Sequence, residues 1–196
     1  FCGKVENELK TLNIKNARFC AEFTEYSREA AEKAGENGAD SVTLMFSANA
    51  GEPLKPLDKV ISGGEMSRLM LAIKTQMSGL NEISTYIFDE IDAGISGNTA
   101  KVVAEKFADI AKEKQIIAVS HLAQIVAMAD ADFLISKRET PEGKTLTDIM
   151  RLTSDRRRDE LIRLLGGTAG SEAAAKLAEE LFAAAQNYKQ KRKSSH

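Results

Sequence analysis

Ser62-Gly63-Gly64-Glu65 stands directly before a helical stripe that starts at Met66, and farther along one apolar run ends in Asp89-Glu90 and another in Ser120-His121. A glycine pair lets the backbone come close to an anion. A helix N-terminus adds unsatisfied N–H groups and the positive end of a dipole, so the first motif can hold phosphate. An acidic pair at a strand end suits metal-assisted phosphoryl chemistry. Asp89 would orient the water shell of Mg²⁺, which keeps several of its waters, and Glu90 would position and polarise the attacking water. His121, also just past a strand, can reach a γ-phosphate and report whether the nucleotide is intact. Each motif alone has an ordinary reading: a turn, a helix cap with a surface charge, a hydrogen-bonded structural histidine. In this order, each at its proper junction, they read as half of a nucleotide-hydrolysing site. No G-x-x-x-x-G-K-[ST] loop occurs in these 196 residues, and the nearest imitation, Gly166 to Ser171, has no Lys to reach the terminal phosphates. The nucleotide is therefore expected to be held mainly by something outside this chain.

The elements that must position these residues can be read from periodicity. Val5, Leu9 and Leu12 form a helical stripe, read either as the last turns of a coiled coil or as an ordinary amphipathic helix. Phe19, Ala21 and Phe23 alternate with polar residues as a half-buried strand, Gly35 to Asp40 reads as a turn, and Val42 to Phe46 as the returning strand. From Met66 the set Leu69, Met70, Ile73, Met77 and Leu80 keeps helical spacing. Strand and helix then alternate: Ile83 to Phe88, Thr99 to Ala111, Gln115 to Val119, Leu122 to Met128, Phe133 to Ser136. Short apolar strands between amphipathic helices predict a parallel, buried sheet with its ligand site at the strand carboxyl ends, where Asp89-Glu90 and Ser120-His121 fall. Thr145 to Leu152 adds a further strand after a turn at Gly143. Two helices follow, around Leu161 to Leu165 and from Ser171 to Tyr188, the latter with a stripe of Ala174, Leu177, Leu181, Phe182 and Ala185.

Composition sets bounds. Hydrophobic content of 43% and charged content of 29% are ordinary for a globular chain. A net charge of −2 and a pI near 5.9 give no support for wrapping a polyanion. Arg156-Arg157-Arg158 and the Lys189 to Lys193 stretch are the basic clusters, and both read as solvated helix surface. Cys2 and Cys20 form neither a disulfide framework nor a zinc site, which points to a reducing cytoplasm. No apolar run approaches membrane-spanning length, so no membrane partner is expected. An opening Phe rather than Met suggests a piece of something longer.

Ile61-Ser62-Gly63-Gly64-Glu65 resembles the signature motif of ABC-type ATPases, Tyr86-Ile87-Phe88-Asp89-Glu90 their Walker B strand, Asp92 the acidic residue of their D-loop and His121 their switch histidine. The stretches Asp89 to Gly97, Val119 to Ile125 and Leu161 to Gly167 are similar in finer detail to the C-terminal half of the RecN family of SMC-like DNA repair ATPases. The resemblance runs from about Asn16 to Ala185. Ile95-Ser96 stands where other SMC heads and transporter ATPases usually carry Leu-Asp, which favours RecN over those relatives.

The resemblance implies an α/β fold, the C-terminal lobe of an ABC-type head, with a mainly parallel sheet flanked by helices and an N-terminal antiparallel strand pair. It implies a split head: residues 1–15 as the end of a returning coiled-coil or stem helix, 16–188 as the lobe and 189–196 as a disordered tail, with Walker A in an N-terminal half. ATP and Mg²⁺ would be the cofactors, both requiring that half, and a second head would close over the nucleotide. Ser62, Gly63, Gly64, Glu65 and Asp92 would contact nucleotide, the signature residues serving the opposite head. Asp89 would serve the metal, and Glu90 and His121 the chemistry. Arg68 would either support the phosphate contact or be an exposed or salt-bridged residue. DNA would be met through the complete protein in double-strand break repair, in the cytoplasm at the nucleoid. A chromosome-organising SMC head and a nucleotide-independent interaction or DNA-scaffold module are the alternatives.

Overall fold

A computed structural model describes residues 1–24, 32, 34, 36, 38, 40–59, 63–77, 82–168 and 170–193. Much of the expected 35–40 turn, as well as Ile61, Ser62, Leu80 and residues 194–196, lies outside them. Helix α1 (Cys2–Thr11) buries Val5 and Leu9 completely, and Leu12 just beyond its end is equally buried. These three join one core with Leu69, Phe88 and Phe107, so the stripe is covered by the lobe itself. Glu8, nearly buried, is neutralised by Lys106 at 2.6 Å.

Strands β1 (Arg18–Thr24) and β2 (Ser41–Ser47) pair antiparallel from Arg18↔Ser47 to Thr24↔Ser41, and the short β3 (Lys55–Pro56) adds to β2. The expected N-terminal antiparallel pair is thus present. Helix α2 (Gly63–Gln76) turns a wide face inward, with Leu69, Leu71, Ala72 and Ile73 buried. Each leucine or isoleucine among them contributes about 1.5–3 kcal/mol by leaving water, which fixes the rotation of the helix and hence where its first turn points.

Strand β4 (Thr85–Phe88), helix α3 (Gly97–Ile110) and strand β5 (Gln115–Ala118) make a parallel pair, Thr85↔Gln115 through Phe88↔Ala118. Tyr86 and Phe88 enter the core, but Ile87 on the opposite face is 72% exposed, so among the described residues one side of this sheet is uncovered. Helix α4 (Ala123–Met128) follows β5.

The sequence placed Phe133 to Ser136 in the parallel sheet, and here the structure differs. Strand β6 (Phe133–Glu139) pairs antiparallel with β7 (Thr145–Arg151) as a separate hairpin. Its turn closes with Thr140 N donating to Lys144 O at 2.8 Å, and Gly143 takes a φ of 75° that a side chain would oppose. Helices α5 (Ser154–Leu164) and α6 (Glu172–Lys193) pack with α4 in a second small core of Ala123, Ala127, Leu161 and Ala178. On α6 Ala174, Ala178 and Ala185 are buried while Leu177 of the expected stripe is exposed, and the helix continues to Lys193, past the Tyr188 boundary expected from sequence. Tyr188 and Lys189 bond Asp109 and Asp130, which draws this last part of the helix onto the body of the protein.

Candidate functional site

The first turn of α2 is built against the loop that follows β4. Gly64 is buried, and a Cβ there would lie 2.8 Å from the Ala93 carbonyl oxygen and 2.9 Å from the Ala93 Cβ, so only glycine fits. A Cβ on Gly63 would strike the Glu90 carboxylate. The sequence predicts that the glycine pair lets the backbone approach an anion, and within this chain the group that comes close to it is the 89–93 loop. Glu65, in the same turn, is half-buried and lends its negative charge to the guanidinium of Arg68.

Asp89 and Glu90 leave the end of β4 exposed to solvent. Glu90 N donates to Asp89 Oδ1 at 2.9 Å, and Glu90 takes a φ of 55°, a left-handed conformation uncommon for a side-chain-bearing residue. Among the described residues no three His, Cys, Asp or Glu side chains gather as a metal cage. An exposed carboxylate at a strand end nevertheless suits Mg²⁺, which is commonly held by one or two carboxylates, phosphate oxygens and water.

Asp92 is only 7% exposed, and one of its oxygens gathers three donors. Ser120 Oγ donates to Asp92 Oδ2 at 2.6 Å, His121 N donates to it at 2.8 Å, and His121 Nδ1 lies 3.1 Å away. Ser120 Oγ also accepts from Leu122 N at 3.1 Å, at the N-cap of α4. An Nδ1–H given to Asp92 fixes the tautomer and turns Nε2 outward on a ring that is 75% exposed. Asp92, expected as a nucleotide contact, is enclosed within this chain and anchors His121. Arg68 also departs from expectation. It is 7% exposed, its Nη1 donates to Ala93 O at 2.8 Å, and burial pulls its pKa down while Glu65 opposes that pull. Pointing inward, it is enclosed where one of the readings weighed from sequence had it exposed.

The structure therefore brings Gly63 and Gly64 onto the Glu90–Ala93 loop, and joins that loop to Ser120-His121 through Asp92. Ser67, whose Oγ donates to Asp89 O at 2.7 Å, was missed by sequence reasoning because a serine inside a helical stripe carries no signal of its partner.

No protein-family model matches the chain. The DNA repair protein RecN of Treponema pallidum is 40% identical over 185 residues, 94% of this chain and 32% of that protein. RecN of Bacillus subtilis is 36% identical over 95% of this chain and 34% of its own length. The chain thus spans about a third of the length of the curated relatives it matches. Among solved structures, the Smc head domain with a coiled coil and joint from Pyrococcus yayanosii overlays with a TM-score of 0.55 at 20% identity, covering 83% of this chain and 28% of that one. At that identity the likeness establishes the fold alone.

Proposed function

We propose that this chain, by sequence a RecN-type segment, is the C-terminal lobe of an ATPase head whose complete protein acts in DNA double-strand break repair through ATP-dependent head engagement. One observation carries the reading: Asp92, two positions past Glu90, accepts on one oxygen from Ser120 and His121, 28 and 29 positions farther along, and so ties the loop after Asp89-Glu90 to the second motif. Asp89 would hold Mg²⁺ through its water shell and Glu90 would orient the attacking water. His121 Nε2 would face the γ-phosphate. Mg²⁺, when bound, would neutralise charge developing on the transferred phosphoryl group. Ser62, Gly63 and Gly64 would serve the nucleotide of an opposing head, with Glu65 beside them. The Walker A loop absent from these residues would come from an N-terminal half, and the protein would work in the cytoplasm at the nucleoid.

The scaffold alternative draws less support. Arg157 is paired with Asp132 and Arg158 with Glu179, so two of the three arginines of the 156–158 cluster are neutralised within the chain. The deciding experiment is Glu90→Gln in the full-length protein. It keeps the side chain's shape but removes its ability to polarise water, so turnover should fall about 100-fold or more while ATP binding survives and the ATP-bound dimer accumulates. Undiminished hydrolysis would assign Glu90 a structural role and leave the reading without its catalytic group.

A further inference from the structure

Two adjacent side chains of α2 grip the loop after β4 from behind. Ser67 Oγ donates to Asp89 O at 2.7 Å, and Arg68 Nη1 donates to Ala93 O at 2.8 Å. Those carbonyls bracket the segment that contains Glu90 and Asp92. Within it, Ala93 N donates to Glu90 O at 3.1 Å, closing a tight turn around the left-handed Glu90. Asp92, held in the same segment, carries His121 on its Oδ2. Gly64 presses against Ala93 and Gly63 against Glu90, so the first turn of α2 and this loop lie in direct contact.

Arg68 is an expensive way to make one carbonyl bond. Its guanidinium is enclosed, burial depresses its pKa, and its Nε has no partner among the described residues. Burying a cation costs free energy that a single neutral acceptor does not fully offset. What the arrangement supplies is position: a rigid planar fork fixed to one end of the loop while Ser67 fixes the other.

We infer that Ser67 and Arg68 are positioning residues that join the signature helix to the loop bearing Glu90, so that docking of a phosphate at Gly63-Gly64 sets the Glu90 carboxylate and, through Asp92, the His121 ring. The inference rests on the ATPase-head reading. It assigns both residues an effect on the chemical step and none on nucleotide affinity, because both side chains are committed to carbonyls of the loop.

The test is steady-state ATPase kinetics of the full-length protein carrying Ser67→Ala, Ser67→Thr or Arg68→Lys, each alone and combined with Glu90→Gln. Misplacing a catalytic group by a fraction of its reach should lower kcat about 10- to 100-fold in Ser67→Ala and Arg68→Lys. KM for ATP and ATP-driven dimerisation should stay within about twofold, the pattern of an interaction used only in the transition state. Ser67→Thr, which keeps the hydroxyl, should restore most of the rate. In the Glu90→Gln background the same substitutions should alter residual turnover by less than about twofold, since the group they place is no longer competent. A loss of equal size in both backgrounds, or an unchanged kcat, overturns the inference. If Arg68→Lys does not fold, the Ser67 pair alone decides. Failure of the underlying reading looks different: turnover is then absent from the unmodified protein or indifferent to Glu90→Gln.

Discussion

Asp92 Oδ2 takes a hydroxyl, a backbone N–H and an imidazole at once, and all three donors belong to the two residues flanking a single peptide bond. Asp92→Asn removes the charge and puts an N–H₂ group beside the donors in one of its two orientations. Losing hydrogen bonds to a buried charged acceptor should cost about 1–3 kcal/mol of stability. In the full-length protein turnover should fall as well. His121→Ala separates the two effects. Its ring is 75% exposed, so the melting temperature should barely move while turnover drops. Thermal melts beside ATPase rates check both, and a His121→Ala protein that melts much earlier would make His121 structural. Asp89, Glu90 and His121 were legible in the sequence because residue type and strand-end position together limit what they can do. Asp92 was legible as an acidic loop residue, but not its inward direction, which depends on where Ser120 and His121 lie after folding. The left-handed φ of Glu90 had no sequence signal either, since Gly or Asn is the usual mark of that conformation.

Between elements, the strands and helices around the site followed from period, and partner choice did not. The Phe133 alternation marks β6 as a strand equally well in a parallel sheet or a hairpin, and only the Gly143 reversal selects the hairpin. On α6, Leu177 fits a helical stripe better by composition than Ala178, yet α4 approaches so closely that the smaller residue takes the buried position. Arg157 shows how these peripheral elements are locked. Its Nε bonds Asp132 Oδ2 at 2.5 Å, its Nη2 donates to Ala129 O at 2.9 Å, and its guanidinium lies 5.5 Å from the Phe182 ring centre, so one side chain on α5 links the end of α4, the start of β6 and α6. Burial raises the Asp132 pKa and the Arg157 charge opposes that rise. Arg157→Ala would leave the carboxylate enclosed with its main counter-charge gone, a loss of about 3 kcal/mol for a largely buried pair. The sign with pH follows. Above its folded pKa Asp132 is ionised and the full penalty applies, and as pH falls through that pKa a proton replaces the missing cation and the penalty shrinks. Urea denaturation of both proteins at neutral and mildly acidic pH should show the gap narrowing toward acid. A gap that widens would mean that Asp132 is not the group left exposed to the change.

For the whole molecule, the parallel pair β4–β5 sets the main constraint. Parallel strands are normally covered on both faces, and the apolar runs of these two read accordingly. Yet Ile87 is 72%, Ile117 46% and Val119 49% exposed, beside the strand ends that carry Glu90 and His121. An apolar sheet face next to a nucleotide site lacking its phosphate-cradling loop is what the proposed split head requires, and the relatives' threefold greater length leaves room for the segment that would cover it. The two deficits should therefore be repaired together. These 196 residues alone should bind a solvatochromic hydrophobic dye and hold Mg-ATP weakly. Co-expression with the preceding part of the full-length protein should abolish the dye signal and bring Mg²⁺-dependent ATP binding at once. Ile87→Asp should block both without altering Glu90 or His121, since it buries a charge only in the assembled head. Tight Mg²⁺-dependent ATP binding by the segment alone would contradict the split-head arrangement. Dye loss without ATP binding would place the covering segment correctly but take the phosphate loop away from it.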